Sequence, residues 1–186
     1  DLVSVQACVT GATRGDTINV SAGTAIWSSK LNITKAITLK GAGKDTGGTK
    51  IIFAYGTAET DTCGDCPINY GSASGRGSIK FKPTDPQADE NVDFSISGFR
   101  FEQSPSVTAV GGVQIVNCSV DYPLRRIKIF DNNFIWRSDS AALQTQLMLN
   151  FVGYTYGVIY NNVFDGRHPY FYIATPNSLD ATMTAQ

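Results

Sequence analysis

The sequence predicts an all-β chain wound as a right-handed, single-stranded parallel β-helix of about seven coils with polar loop excursions. Three observations carry this. First, LRRIKIFDNNF at Leu124–Phe134 returns as GVIYNNVF at Gly157–Phe164. Ile129 falls on Ile159, Asp131 on Asn161, Asn132 on Asn162 and Phe134 on Phe164. Phe94–Phe101 (FSISGFRF) fits the same frame through Ile96, Gly98 and Phe101, and Ile37–Gly43 (ITLKGAG) through Leu39 and Gly41. The aligned apolar positions 39, 96, 129 and 159 are separated by 57, 33 and 30 residues. Taking 57 as two turns of one period, the repeat length is that of a solenoid. Second, each copy is apolar at every second residue, which is strand periodicity. Third, each run breaks at Gly, Asp or Asn, residues that tolerate tight-turn backbone and bond neighbouring backbone groups. One such unit cannot bury its own apolar face, so turns must stack. At a strand spacing of about 4.8 Å, Asp131, Asn132, Asn161 and Asn162 would bond along the axis as an asparagine ladder.

Taken in order, residues 1–14 (DLVSVQACVTGATR) start or cap the solenoid; Val3, Val5 and Val9 favour a strand, and a short capping helix stays open as the alternative. Residues 16–56 supply the first two turns, with strands near 17–20, 31–33, 36–40 and 50–54. Residues 57–78 (TAETDTCGDCPINYGSASGRGS) leave the coil as a polar loop, and the pattern resumes at Ile79–Phe81. A second loop covers 83–91 (PTDPQADEN) and a third begins at Ser104–Pro105–Ser106. RSDSAALQT, between Arg137 and Thr145, is the one short helix expected, with Ser138 or Asp139 as N-cap. Tyr170–Thr175 is strand-like and is followed by SLDATMTAQ without an evident cap. The chain also opens at Asp1 without Met, which suggests processing or a fragment. It is expected to form one β-helix domain over 1–186, as the N-terminal part of a longer β-helix or with its open end covered by another subunit.

Two stretches carry a resemblance. Gly15-Asp16-Thr17-Ile18-Asn19-Val20 with Ser21-Ala22-Gly23-Thr24, and Leu31–Gly43 (LNITKAITLKGAG), are similar to the opening turns of pectate-lyase-like β-helix proteins. The later I-x-NN-x-F segments resemble that superfamily's parallel β-helix repeats, so the similarity runs from Gly15 to about Gly166. The resemblance implies the fold. It leaves function open, because the superfamily holds polysaccharide lyases and hydrolases as well as tailspikes, adhesins and other non-catalytic surface proteins.

Composition narrows the partners. Fifteen Lys and Arg against sixteen Asp and Glu give net −1 over 186 residues, and no basic patch of the kind that binds nucleic acid appears. No run approaches the roughly 20 apolar residues of a membrane span. Cys8, Cys63, Cys66 and Cys118 are even in number, which suggests disulfides and an oxidising compartment. Cys63–Cys66 with Cys8–Cys118 competes with pairings that tie the loop to the body, while free thiols or a metal remain as alternatives.

Candidate site residues fall into four groups. Carboxylates cluster at Glu59, Asp61 and Asp65, where hard oxygen ligands could hold calcium, and at Asp85, Asp89 and Glu90; solvated loop charges are the preferred reading of both clusters. In the resembled enzymes such groups hold calcium or act as acid and base on an acidic sugar. Arg125, Arg126, Lys128 and Arg137 form the densest basic group. Lys128 and Phe130 should point outward while Ile127 and Ile129 point in, so guanidinium groups there could grip glycan carboxylates or sulfates; the alternative is a soluble surface. His168, beside Asp165, is the sole histidine and a conceivable acid or base, or simply a loop residue. Among the aromatics Trp136, Tyr154, Tyr156, Tyr160, Tyr170, Phe171 and Tyr172, Tyr160 shares one outward register with Phe130. A glycan surface of Phe130, Tyr160, Trp136, Arg126, Lys128, Tyr170 and Tyr172 is one reading, and packing between turns or subunits is the other. Asn19-Val20-Ser21, Asn32-Ile33-Thr34 and Asn117-Cys118-Ser119 match the N-glycosylation acceptor pattern.

Two functions are expected to compete. One is an extracellular, cell-surface or virion-surface structural and binding module, contacting glycans or neighbouring subunits, with no catalysis and no cofactor beyond possible calcium. The other is a lyase or hydrolase of pectate-lyase type acting on an acidic polysaccharide. The missing carboxylate constellation on the strands favours the first.

Overall fold

The computed structural model describes residues 1–55, 77–107, 111–136, 147–166 and 170–174. Within them a helix, α1 (Leu2–Gly11), precedes strands that come in threes. The first rung is β1 (Thr17–Val20), β2 (Gly23–Trp27) and β3 (Leu31–Ile33), and the second is β4 (Thr38–Gly41), β5 (Thr49–Phe53) and β6 (Gly77–Phe81). A one-turn helix, α2 (Pro86–Asp89), leads to the third rung, β7 (Phe94–Ser97), β8 (Phe99–Gln103) and β9 (Gly111–Asn117). The fourth is β10 (Leu124–Phe130), β11 (Asn133–Ile135) and β12 (Leu147–Gly153), and the fifth is β13 (Thr155–Tyr160), β14 (Val163–Asp165) and β15 (Tyr170–Ala174). Every third strand pairs in parallel, giving three five-stranded sheets: β1-β4-β7-β10-β13, β2-β5-β8-β11-β14 and β3-β6-β9-β12-β15. This arrangement is compatible with a parallel β-helix.

The repeat frame is reproduced as strand pairing. Leu39 pairs with Ile96, Ile96 with Ile129, and Ile129 with Ile159. One spacing corrects the expectation. The 57 residues from Leu39 to Ile96 make a single coil, since β4 and β7 are direct neighbours. Each sheet therefore holds five described strands where about seven coils were expected. Coil length varies because the connections between strands differ in length; the one carrying α2 joins the second rung to the third.

Side chains that alternate inward build the core. Leu39, Ile96 and Ile129 line the first sheet, fully buried. On the second sheet Phe53, Phe101, Phe134 and Phe164 stack along the axis with ring centroids 5.3, 5.2 and 5.0 Å apart. Each such pair adds about 0.5–1.5 kcal/mol beyond area burial. Trp136 belongs here too. It is 4% exposed and packs against Phe53 and Phe134, so it is a core residue and no part of an outer glycan surface.

The corner between the first and second sheets has a repeated chemistry. Gly98, Asp131 and Asn161 occupy equivalent positions with φ of 76°, 54° and 54°. That is the left-handed region, open to Gly and tolerated by Asn and Asp. The next residue inward is Asn132 or Asn162. Asn132 is fully buried. Its Nδ2 donates to the carbonyls of Ile96 (3.0 Å) and Phe130 (2.8 Å), and its Oδ1 accepts from Phe99 N–H at 3.1 Å. Asn162 Oδ1 accepts from Asn132 N–H and Nδ2 at 3.0 and 3.1 Å. Asn161 Nδ2 also donates to Asp131 Oδ1. The expected ladder is present.

Residues 2–11 are helical rather than extended. Val5 and Val9, four apart, lie on one helical face, and both are buried on the first rung while Val3 is exposed. Asp1 caps the helix by accepting from Ser4 N–H at 2.8 Å. Burial of an i, i+4 pair outweighs the modest strand preference of valine. The helix also seals an edge. Gln6 Nε2 donates to Asn32 O (3.0 Å) and Gln6 Oε1 accepts from Asn32 N–H (2.9 Å), filling both backbone positions on the unpaired side of β3. Lys35 Nζ then donates to the carbonyls of Thr10 and Ala12 at the helix end.

Candidate functional site

The outer face of the first sheet gathers most of the predicted residues. Register places Lys128 beside Val158 and Phe130 beside Tyr160. Strand alternation points all four outward, because Ile129 and Ile159 between them point in. The Phe130 and Tyr160 rings stack with centroids 5.0 Å apart and planes 1° from parallel. Tyr156 and Val158 on β13, and Val163 on β14, are each more than half exposed, and Tyr160 is nearly so. Exposed apolar side chains gathered on one rung are the usual mark of a contact surface. Two stacked rings cover each other's faces, so together they offer solvent their edges and the face of Tyr160 turned away from Phe130.

The described members of the basic group beside them, Arg125, Arg126 and Lys128, are already paired. Arg126 Nε donates to Asp93 Oδ1, and Lys128 Nζ to Asp93 Oδ2 at 2.9 Å. Arg125 Nε donates to Glu90 Oε1 at 2.8 Å, and its guanidinium sits 5.7 Å from the centre of the Tyr156 ring. Hydrogen bonds from Arg126, then Lys128, hold the Asp93 carboxyl below its ordinary range. Asp93 raises the pKa of Arg126 in return. A polyanion would have to displace these carboxylates, and three cations against two acids leave little net field.

Asp85, Asp89 and Glu90 have separate tasks. Asp85 caps α2 by accepting from Ala88 N–H at 3.1 Å, and Glu90 pairs with Arg125. Asp89 is no solvated loop charge. It is fully buried, and its Oδ1 accepts from Arg14 Nε (3.0 Å) and Ala36 N–H (2.8 Å). Burial pushes its pKa up, more than the Ala36 N–H and Arg14 lower it. It pins the segment after α1 to the turn before β4.

Tyr170 and Tyr172 lie on β15 in the third sheet, where Tyr172 pairs with Asn150, and so belong to a different sheet from Phe130 and Tyr160. The calcium candidates Glu59, Asp61 and Asp65 lie outside the described residues, as do Cys63, Cys66, Arg137, His168 and the helix expected at 137–145. Cys8 is a free, exposed thiol, which removes the Cys8–Cys118 pairing, and no disulfide joins two described residues. Among the described residues no cluster of three His, Cys, Asp or Glu is placed to hold a metal. Nor is any described helix long and apolar enough to cross a membrane.

Sequence reasoning missed two features. Asp93 is the counterion of Arg126 and Lys128, yet lies 33 and 35 residues away, and only the strand register reveals it. On the second sheet, Glu102 accepts from Lys50 at 2.7 Å and from Arg100 at 2.6 Å. Burial opposes its charge, but those two cations prevail and its pKa is lowered. A groove of about 290 Å³ between α1 and the first rung lies at the other end of the stack. No protein family, curated protein or solved structure matches this chain.

Proposed function

We propose that this chain is a structural and binding module, a right-handed parallel β-helix that presents the outer face of its first sheet, rungs four and five, to a neighbouring subunit or a glycan. Handedness follows from a general rule, since parallel strand-to-strand crossovers are right-handed in about 98% of cases. The opening motifs and the asparagine ladder support a pectate-lyase-like ancestry. The observation that carries the reading is the exposed row Tyr156, Val158 and Tyr160 on β13, with Val163 on the next strand. Paired cations border that row, so the contact is mainly apolar and aromatic, and the free face of Tyr160 suits one sugar ring or one partner side chain. An extracellular, cell-surface or virion-surface setting fits a rigid display scaffold of this kind.

Three measurements test this. Light scattering over a range of concentrations, run for the parent chain and Tyr160→Ala/Val158→Ser, should show association that the double substitution weakens. Titration with neutral, uronate and sulfated glycans should locate any sugar contact at the same residues, with little salt dependence. A β-elimination assay on uronate polymers should give no unsaturated product. Product formation would overturn the non-catalytic reading in favour of a lyase, and association or glycan binding unchanged by the substitutions would overturn the surface assigned.

A further inference from the structure

The three N-x-S/T sequons fall into two structural classes. Asn117 is 1% exposed, and both hydrogens of its amide nitrogen are used internally, donated to Tyr122 O at 3.0 Å and Tyr154 O at 2.8 Å. Its Oδ1 accepts from Ser119 N–H at 3.2 Å, the backbone amide of the sequon's own serine. A sugar on that nitrogen would break at least one of these bonds and would have no room. Asn19 and Asn32 are the reverse. Both are exposed, on β1 and β3 of the first rung, and their sequon hydroxyl residues Ser21 and Thr34 are exposed as well. Strand alternation turns both side chains outward, since Ile18 and Val20 flank Asn19 on the inward side and Leu31 and Ile33 flank Asn32. Gln6 bonds only the backbone of Asn32, leaving its amide side chain clear.

We propose that Asn19 and Asn32 are acceptor sites for N-linked oligosaccharide and that Asn117 is not. The inference rests on the extracellular reading above. The donor is a lipid-pyrophosphate-linked oligosaccharide. The Asn amide nitrogen forms a bond to sugar C1 as the C1–oxygen bond to pyrophosphate breaks. The pyrophosphate departs with the electron pair, and the amide proton passes to a base of the transferase. Because acceptor sequons belong on the surface of the folded product, modification at Asn19 and Asn32 costs the fold nothing, whereas a sugar at Asn117 would hold β9 away from the turn into β13. Both sugars would ring the first rung and leave rungs four and five uncovered, so the capped end is shielded while the contact face stays free.

The test is expression of the whole chain behind a secretion signal in glycosylating eukaryotic cells. Intact mass before and after peptide-N-glycosidase treatment would be read for the parent chain, Asn19→Gln, Asn32→Gln and Asn117→Gln. The expected result is two oligosaccharides on the parent, one on each of the first two variants, and two on Asn117→Gln. A bare parent, or sugar on Asn117 in the folded chain, overturns the assignment. Retained intracellular chain is analysed in the same way, so poor secretion still gives site occupancy. Localisation in the native source is a separate measurement: chain found inside cells would sink the extracellular reading and leave acceptor competence standing.

Discussion

Replacing Asn132 with Ala tests the physical basis of the stack most directly. The side chain is fully buried and joins three rungs: it accepts from Phe99 N–H, donates to the carbonyls of Ile96 and Phe130, and meets Asn162. Truncation strands a buried donor at Phe99, which costs about 1–3 kcal/mol, and removes further bonds worth about 1 kcal/mol each. Some of that loss overlaps, so a total of about 3 kcal/mol is expected, a more than hundredfold change in the folding equilibrium. At this chain length that lowers Tm by about 6–12 °C. Asn162 has comparable partners, donating to Ile129 O at 2.8 Å and Tyr160 O at 3.0 Å, but it is only partly buried. Water can replace what Asn162→Ala removes, so that change should cost about 1 kcal/mol. The assay is urea unfolding of both single variants and the double, followed by circular dichroism. Because the two side chains touch, the double variant should cost less than the sum of the singles. An Asn162→Ala cost equal to or above that of Asn132→Ala, or strict additivity, would refute the claim that burial sets the worth of each ladder position.

Three further outcomes are expected. Asp89 has a raised pKa through burial, so the folded state holds its proton more tightly than the unfolded chain does. Stability from this group therefore rises as pH falls from above its folded pKa towards the ordinary carboxylate value of 3.8. Asp89→Asn should remove that rise, and stability curves for parent and variant that stay parallel as pH falls from neutral towards 3.8 would contradict it. Gly153→Ala should destabilise by more than about 2 kcal/mol, since Gly153 has φ of 87° and a Cβ there would lie 1.9 Å from Asn117 O; a melting temperature equal to the parent's would show that the strand relaxes freely. Gln6→Ala should leave the Asn32 N–H without a side-chain acceptor and speed its hydrogen exchange at least tenfold, with little change in mid-stack amides such as Ile96. Equal protection in parent and variant would mean that Gln6 is not what covers that edge.

The parts of the fold legible in the sequence were those fixed by local chemistry. Period-two alternation gave the inward Ile column, and the Gly, Asp, Asn sequence at 98, 131 and 161 marked a turn needing positive φ, which only a few residue types tolerate. The spacing between rungs was less legible, because a strand pairs with its neighbour in space whatever the intervening length; the 57-residue coil was thus mistaken for two. Whether residues 2–11 form a helix or a strand stays open in the sequence for a similar reason. The valines favour strands by small increments, and the decision came from which of them met the first rung. At the surface, alternation placed Lys128 and Phe130 outward correctly, but no local signal named Asp93 as the counterion. Trp136 looked like a surface aromatic from its neighbours in sequence, and only the axial stack with Phe53 and Phe134 revealed a core position.

One contact at the start of the chain carries a consequence for growth. The carboxamide of Gln6 impersonates a peptide group, offering Asn32 the donor and acceptor that an incoming strand would bring, but with no chain attached to it that could prolong the pairing. A template read once and then closed cannot enlist a copy of itself. At this pole, polymer extension through β3 is self-terminating, and the safeguard is a single amide.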